Sequence, residues 1–224
     1  MKVKKVAAVS AHDELLALMA DFAADYLDPA FKKKQAGEVH HRPTDTMFEE
    51  IFRGFTEIGE SMDTLELLEE LLKAPPSRRK AIRKDRYLKF LIGSYLQEMY
   101  ILEQRMTAYG KKISRLYGAR PLPAAIKEMV YTPLENLISV RGAHVHERRF
   151  SDEHLDRLGM FATLNCVGHT LGEHLEDEYF TSQITWAERV SKNNKSTRKI
   201  IDQYCAMIKP IITDSGKIFI PKKV

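Results

Sequence analysis

The chain predicts an all-α fold: an elongated helical bundle in which two long helices flank a shorter one carrying an arginine–histidine motif, plus an N-terminal helical hairpin. Three observations point there. Apolar residues recur at helical spacing along nearly the whole length. The 11 glycines and 9 prolines among 224 residues fall mostly where helices should end. No internal repeat or low-complexity linker interrupts the pattern. A hydrophobic content of 44% with 29% charged residues is ordinary for a folded protein and excludes wholesale disorder.

The first helix is expected from Ser10 to about Lys34, with Ser10 and Asp13 supplying cap chemistry. Leu15, Leu16, Leu18, Met19, Phe22 and Tyr26 form its apolar side. After a polar loop, Thr44 or Asp45 starts a second helix through Phe48, Ile51, Phe52, Phe55 and Ile58. A break or kink is expected over Gly59 to Asp63, and Pro75-Pro76 stops the continuation. A long third helix should run from about Arg78 to Leu116, with Leu88, Leu91, Ile92, Tyr95, Met99, Leu102, Met106 and Ile113 as its stripe. A short helix comes next, from Ala124 to Tyr131. Thr132-Pro133 then reads as a cap and first-turn proline opening a helix to about His146. A helix from Asp152 should reach Val190, Asn193-Asn194 should end it, and Ser196 should open the last helix. The tail has room for one extended segment, Lys217 to Ile220. Pro75-Pro76 is the strongest boundary, dividing the chain into 1–76, a bundle over 77–213 and a tail over 214–224.

Several function classes drop out. There is no glycine-rich phosphate loop, no GxSxG and no HExxH. No apolar run approaches the ~18 residues that span a bilayer. Met1 to Lys5 is basic, but Asp13 and Glu14 interrupt the stretch after it, so neither a signal peptide nor a membrane partner is expected. Two cysteines exclude a disulfide scaffold and fit a reducing, cytoplasmic compartment. A net charge of +4 permits a polyanionic partner without requiring one.

The segment Glu135 to Phe150, ENLISVRGAHVHERRF, carries the chemistry. On a helical wheel Leu137, Ile138, Arg141 and Val145 lie within roughly 60° of Leu134. Arg141 therefore sits in the middle of an apolar stripe, where a guanidinium must be paired or must face an interface or cleft. His144 lies on one flank and His146 on the other. One reading is a phosphodiester-cleaving pair. A histidine exchanges a proton with a ribose 2′-hydroxyl or a leaving oxygen near neutrality, and an arginine holds the phosphate. The other reading pairs Arg141 with an acid on the third helix, such as Glu98 or Glu103, and leaves the histidines as helix-end residues.

Arg141-Gly-Ala-His-Val-His146 resembles the Arg-x(4–6)-His motif of the HEPN superfamily. The segment Tyr95 to Arg105 also looks like the long helix of such bundles, and the resemblance covers about Arg78 to Tyr204. It implies an all-α, often dimeric bundle and a metal-independent ribonuclease of the kind found in toxin–antitoxin and phage-defence systems. RNA would be the substrate and an antitoxin a candidate protein partner. No cofactor is implied. Arg141 would bind and polarise the phosphate, and His146 would be the general acid or base, with His144 as its substitute. Glu98 would orient the arginine or histidine. Many members of the superfamily are inactive binding modules. Gly142 stands where an asparagine is common, and Arg148 where a toxin subgroup has tyrosine. Arg149 and Arg148 also precede His154 at similar spacing, as decoys.

Arg148 and Arg149, beside the motif, and Arg105, two turns beyond Glu98, are candidate RNA contacts. Other basic clusters are Arg78, Arg79, Lys80, Arg83, Lys84 and Arg86 at the start of the third helix, and Lys192, Lys195, Arg198 and Lys199. A metal-binding bundle is a distant alternative. His169 and Glu173 are four residues apart, with His174, Glu176 and Glu178 close behind, but no matching Glu-x-x-His stands on a second helix.

Overall fold

The computed structural model describes residues 9–37, 46–76, 82–132 and 152–221, and these are all-α apart from one small hairpin. The helices are α1 (Ala11–Gln35), α2 (Thr46–Lys73), α3 (Lys84–Tyr117), α4 (residues 122–132), α5 (Glu153–Cys166) and α6 (Leu175–Ile212), with a 3-10 turn at Thr170–His174. No helix among the described residues is long and apolar enough to cross a membrane. The described residues form two compact units. One draws on the described residues within Met1–Ile58, Arg105–Val130 and Arg198–Val224, the other on those within Gly59–Gln104 and Tyr131–Thr197.

In the first unit, Leu15 and Met19 of α1 are buried with Ile51, Phe55 and Ile58 of α2, Met106, Tyr109 and Ile113 of α3, and Ile201, Tyr204 and Ile208 of α6. The apolar stripes of these helices supply the hydrophobic driving force. Tyr26 stacks on Phe48 at 3.9 Å, and Phe48 on Phe52 at 5.5 Å. The free amide of His12 in the first turn of α1 donates to Asp202 Oδ1 on α6 at 3.1 Å. Two glycines bring elements close. A Cβ on Gly54 would lie 2.4 Å from Tyr109 Cδ2, and one on Gly110 would lie 2.0 Å from Ile126 Cδ1 and 3.6 Å from the Tyr204 hydroxyl. The Tyr204 hydroxyl donates to the Met106 carbonyl at 2.8 Å. After α6, Thr213 pairs with Ile218 and Asp214 with Lys217 in an antiparallel hairpin, so the tail does hold an extended segment. Ser215 (φ 48°) and Gly216 (φ 80°) take the positive φ values its two-residue turn needs. The Tyr117 hydroxyl donates to the Phe219 carbonyl at 2.6 Å and ties the tail to α3.

In the second unit, Leu65, Leu68 and Leu72 of α2 are buried with Leu88, Leu91, Ile92, Tyr95 and Met99 of α3, Leu155 and Leu158 of α5, and Tyr179, Trp186 and Val190 of α6. Gln183 donates to the carbonyls of Leu72 (2.8 Å) and Ala74 (2.7 Å), satisfying acceptors at the C-terminal end of α2. Asp152 caps α5 by accepting from the Leu155 amide at 2.9 Å and also pairs with Arg189.

Three expected boundaries are corrected. The helix does not break over Gly59 to Asp63, because Ile58, Met62 and Leu65 are buried on both sides of the glycine and that burial outweighs the ~1 kcal/mol a helical glycine costs. The third helix begins at Lys84, later than Arg78. Ile82 and Arg83 precede it, and Arg83 folds back on Asp85 through two hydrogen bonds of 3.0 Å. The helix from Asp152 ends at Cys166, not at Asn193-Asn194. Gly168 takes φ 71°, and the His169 amide returns to the Leu164 carbonyl at 3.0 Å, closing α5. Asn194 lies inside α6, 2% exposed, and its amide nitrogen donates to Glu69 Oε2 (2.7 Å) and the Leu65 carbonyl (3.2 Å). Tertiary hydrogen bonds thus hold helical a residue whose propensity favours a stop.

Candidate functional site

Arg141, His144, His146, Arg148 and Arg149 lie outside the described residues, as does the helix expected to reach His146, beyond its first residue Thr132. Their proposed partners on α3 are described. Glu98 is half-buried. Glu103, the other acid considered for Arg141, is 6% exposed and accepts from the Gln104 amide. A carboxylate this buried needs donors to offset its lost hydration. Arg105 is half-buried, and its Nη1 donates to the Glu57 carbonyl of α2 at 2.7 Å. One donor of that guanidinium is therefore occupied within the fold.

A polar cluster around His154, which the sequence placed only in decoy spacings after Arg148 and Arg149, joins the first turns of α5 and α6. Arg157 Nε donates to Glu178 Oε1 at 3.2 Å, and its Nη1 donates to Glu153 at 3.2 Å. Its Nη2 lies 3.3 Å from His154 Nδ1, which is 3.7 Å from Glu178 Oε1. The side chains of His154 and Glu178 are 24% and 13% exposed, so solvent screens the trio only in part. The guanidinium is always a donor, which makes Nδ1 the acceptor of the neutral imidazole and assigns its proton to Nε2. The sequence signal for this trio is the i, i+3 pair His154 and Arg157. Its third member is 21 residues beyond Arg157 and comes near only through the turn at Gly168.

The structure also sorts the basic cluster at the start of α3. Arg83 is committed to Asp85. Lys84 pairs with Glu176 and lies 5.7 Å from the centre of the Tyr179 ring. Arg86 is exposed, and Arg78, Arg79 and Lys80 lie outside the described residues. Lys192, Lys195, Arg198 and Lys199 are exposed on α6.

The placement that a shared metal site requires is corrected as well. His169 and Glu173 are not on one α-helix, because His169 precedes the 3-10 turn and its Nδ1 accepts from the Leu171 amide at 3.2 Å. Among the described residues no three His, Cys, Asp or Glu side chains gather as metal ligands would. A cleft of about 410 Å³ lined by Glu49, Glu50, Arg53, Gly54, Glu57 and Lys112 mixes both charges, and Arg53 pairs with Glu57 across one turn. No protein-family model, no curated protein and no solved structure matches the chain.

Proposed function

We propose that this protein is a metal-independent endoribonuclease resembling the HEPN superfamily, with Arg141 holding the scissile phosphate and His146 moving the proton. The sequence spacing that carries the reading is Arg141 among Leu134, Leu137, Ile138 and Val145 at helical intervals, with His146 five residues on. The all-α fold supports it, as do the long helices α3 and α6 and the half-buried acid Glu98 on α3. Attack of a ribose 2′-hydroxyl on the adjacent phosphorus expels the 5′-oxygen and leaves a 2′,3′-cyclic phosphate. The histidine takes or gives the proton, and the arginine offsets the charge that builds on the phosphate oxygens. A homodimer, RNA as substrate, a cytoplasmic place and a toxin or defence role belong to the same proposal.

Cleavage of total RNA in EDTA by wild type, Arg141→Ala and His146→Ala tests it, with circular dichroism as folding control. Each substitution should lower the rate about 10²- to 10⁴-fold. No cleavage by folded wild type would overturn the ribonuclease and favour a non-catalytic module that binds RNA or a protein partner. That second reading rests on Phe180 and Ile184, one turn apart on α6 and 49% and 58% exposed.

A further inference from the structure

We infer that the solvent face of α3 at Arg86, Lys89 and Phe90 is a docking surface for single-stranded RNA, built from residues other than Arg141 and His146. The inference rests on the proposed function only in taking RNA as the polyanion. Phe90 is 67% exposed, on the opposite side of the helix from the buried Leu88, Leu91, Ile92 and Tyr95. Arg86 and Lys89 are four and one residues before it, so at about 100° per residue all three share one face. Both cations are exposed, and neither has an ion-pair partner among the described residues, whereas Arg83 and Lys84 next to them are paired. Arg86, in the first turn of α3, opposes the helix macrodipole, a cost that an external anion relieves.

The occupant is set by this combination. An apolar protein surface seated on Phe90 would desolvate the two neighbouring cations without pairing them. A nucleic acid strand serves both needs, because a base covers the ring while phosphates meet Arg86 and Lys89. The base must be unpaired to present its face, which selects a single strand over a duplex. One turn beyond Phe90, no described residue lies within 4 Å of where a Cβ on Gly93 would stand, so no described side chain crowds a base laid over that position. The Lys89 ammonium lies 2.7 Å from the Cβ position of Gly159 on α5, so the missing side chain leaves it room.

The test is fluorescence anisotropy with a labelled single strand of mixed sequence, about 20 nucleotides long, enough to span one such groove. Its riboses are 2′-O-methylated, so attack by a 2′-hydroxyl cannot cleave it. Wild type should bind it with an affinity that falls as salt rises. Phe90→Ala should weaken binding about tenfold or more, and Phe90→Trp should retain it. Arg86→Gln with Lys89→Gln should make the slope of log affinity against log salt shallower by about 1.4, or about 0.7 per lost phosphate contact. Absence of wild-type binding, or equal binding by folded Phe90→Ala, overturns the proposal. So does a drop in oligomeric mass on Phe90→Ala by light scattering, which would assign the ring to a protein interface. Cleavage dependent on His146 with binding indifferent to Phe90 removes this surface and keeps the ribonuclease. Binding dependent on Phe90 without cleavage does the reverse.

Discussion

Replacing Asn194 tests how the second unit holds a polar group in its interior. The amide nitrogen gives one hydrogen bond to the Glu69 carboxylate and one to the Leu65 carbonyl, while the amide oxygen has no hydrogen-bond partner among the described residues. A bond to a charged acceptor contributes about 1.5–3 kcal/mol and a neutral one about 1 kcal/mol, against roughly 1 kcal/mol recovered when the unpartnered oxygen is removed. Asn194→Ala should therefore destabilise the protein by about 1.5–3 kcal/mol, or about 3–12 °C in melting temperature for a chain of this size. Burial pushes the Glu69 carboxyl up, but hydrogen bonds from Lys73, Asn194 and Ser191 outweigh it and hold the group below its ordinary 4.5. A carboxyl depressed in the folded state stabilises fully above its unfolded value, and that stability is lost as pH falls through the folded one. Urea unfolding at about pH 7 and about pH 3.5 should show a large gap between wild type and Asn194→Ala at the higher pH and a smaller gap at the lower. Asn194→Asp, which sets a second carboxylate against Glu69, should be worse than alanine at the higher pH and should recover most on acidification. An alanine gap independent of pH would refute the reasoning and leave the Leu65 bond and packing as the source.

Two further perturbations act on the first unit and on the cysteines. Gly54→Ala drives a methyl group into the buried Tyr109 ring and should cost about 1–3 kcal/mol in urea unfolding; an unchanged midpoint would mean the two helices separate freely. Cys205 is buried and its thiol is pushed up to about 12, whereas Cys166 is exposed. A thiol-reactive dye near pH 8 should label one cysteine in the folded protein and both in urea, and rapid labelling of both in buffer would contradict the burial.

The parts of the fold legible in the sequence are those where local pattern and tertiary burial agree. At α1, Ser10 accepts from the Asp13 amide at 3.1 Å and the helix starts at Ala11, one residue past the cap; of its stripe Leu15 and Met19 are buried, whereas Leu16 is 48% exposed. All eight residues of the α3 stripe, Leu88 to Ile113, are buried. The sequence misleads where a distant partner decides. Asn194 looks like a stop until Leu65 and Glu69 take its amide protons. Gly59 looks like a break until its neighbours are buried. The stop at Gly168 is present in the chain, yet a single glycine inside a long helical pattern does not declare its φ. The candidate site divides in the same way. The spacing of Arg141 and His146 is local and readable. The link of His154 and Arg157 to Glu178 depends on a chain reversal that no short window contains.

Tyr109 and Gly110 are consecutive on α3, and they do opposite things. The tyrosine fills the space that Gly54 leaves on α2, while the glycine opens the space that Ile126 and Tyr204 enter. Large beside small fixes the register of α3, because sliding it by one residue would set a ring against Ile126 and a void against Gly54. Substitution at either position is therefore conditional on the other helices. In related sequences, volume gained at position 54 should be matched by volume lost at 109. Position 110 should stay glycine wherever 126 and 204 stay large. The Tyr-Gly pair thus acts as a volume code, legible as correlated exchange even where overall identity has faded.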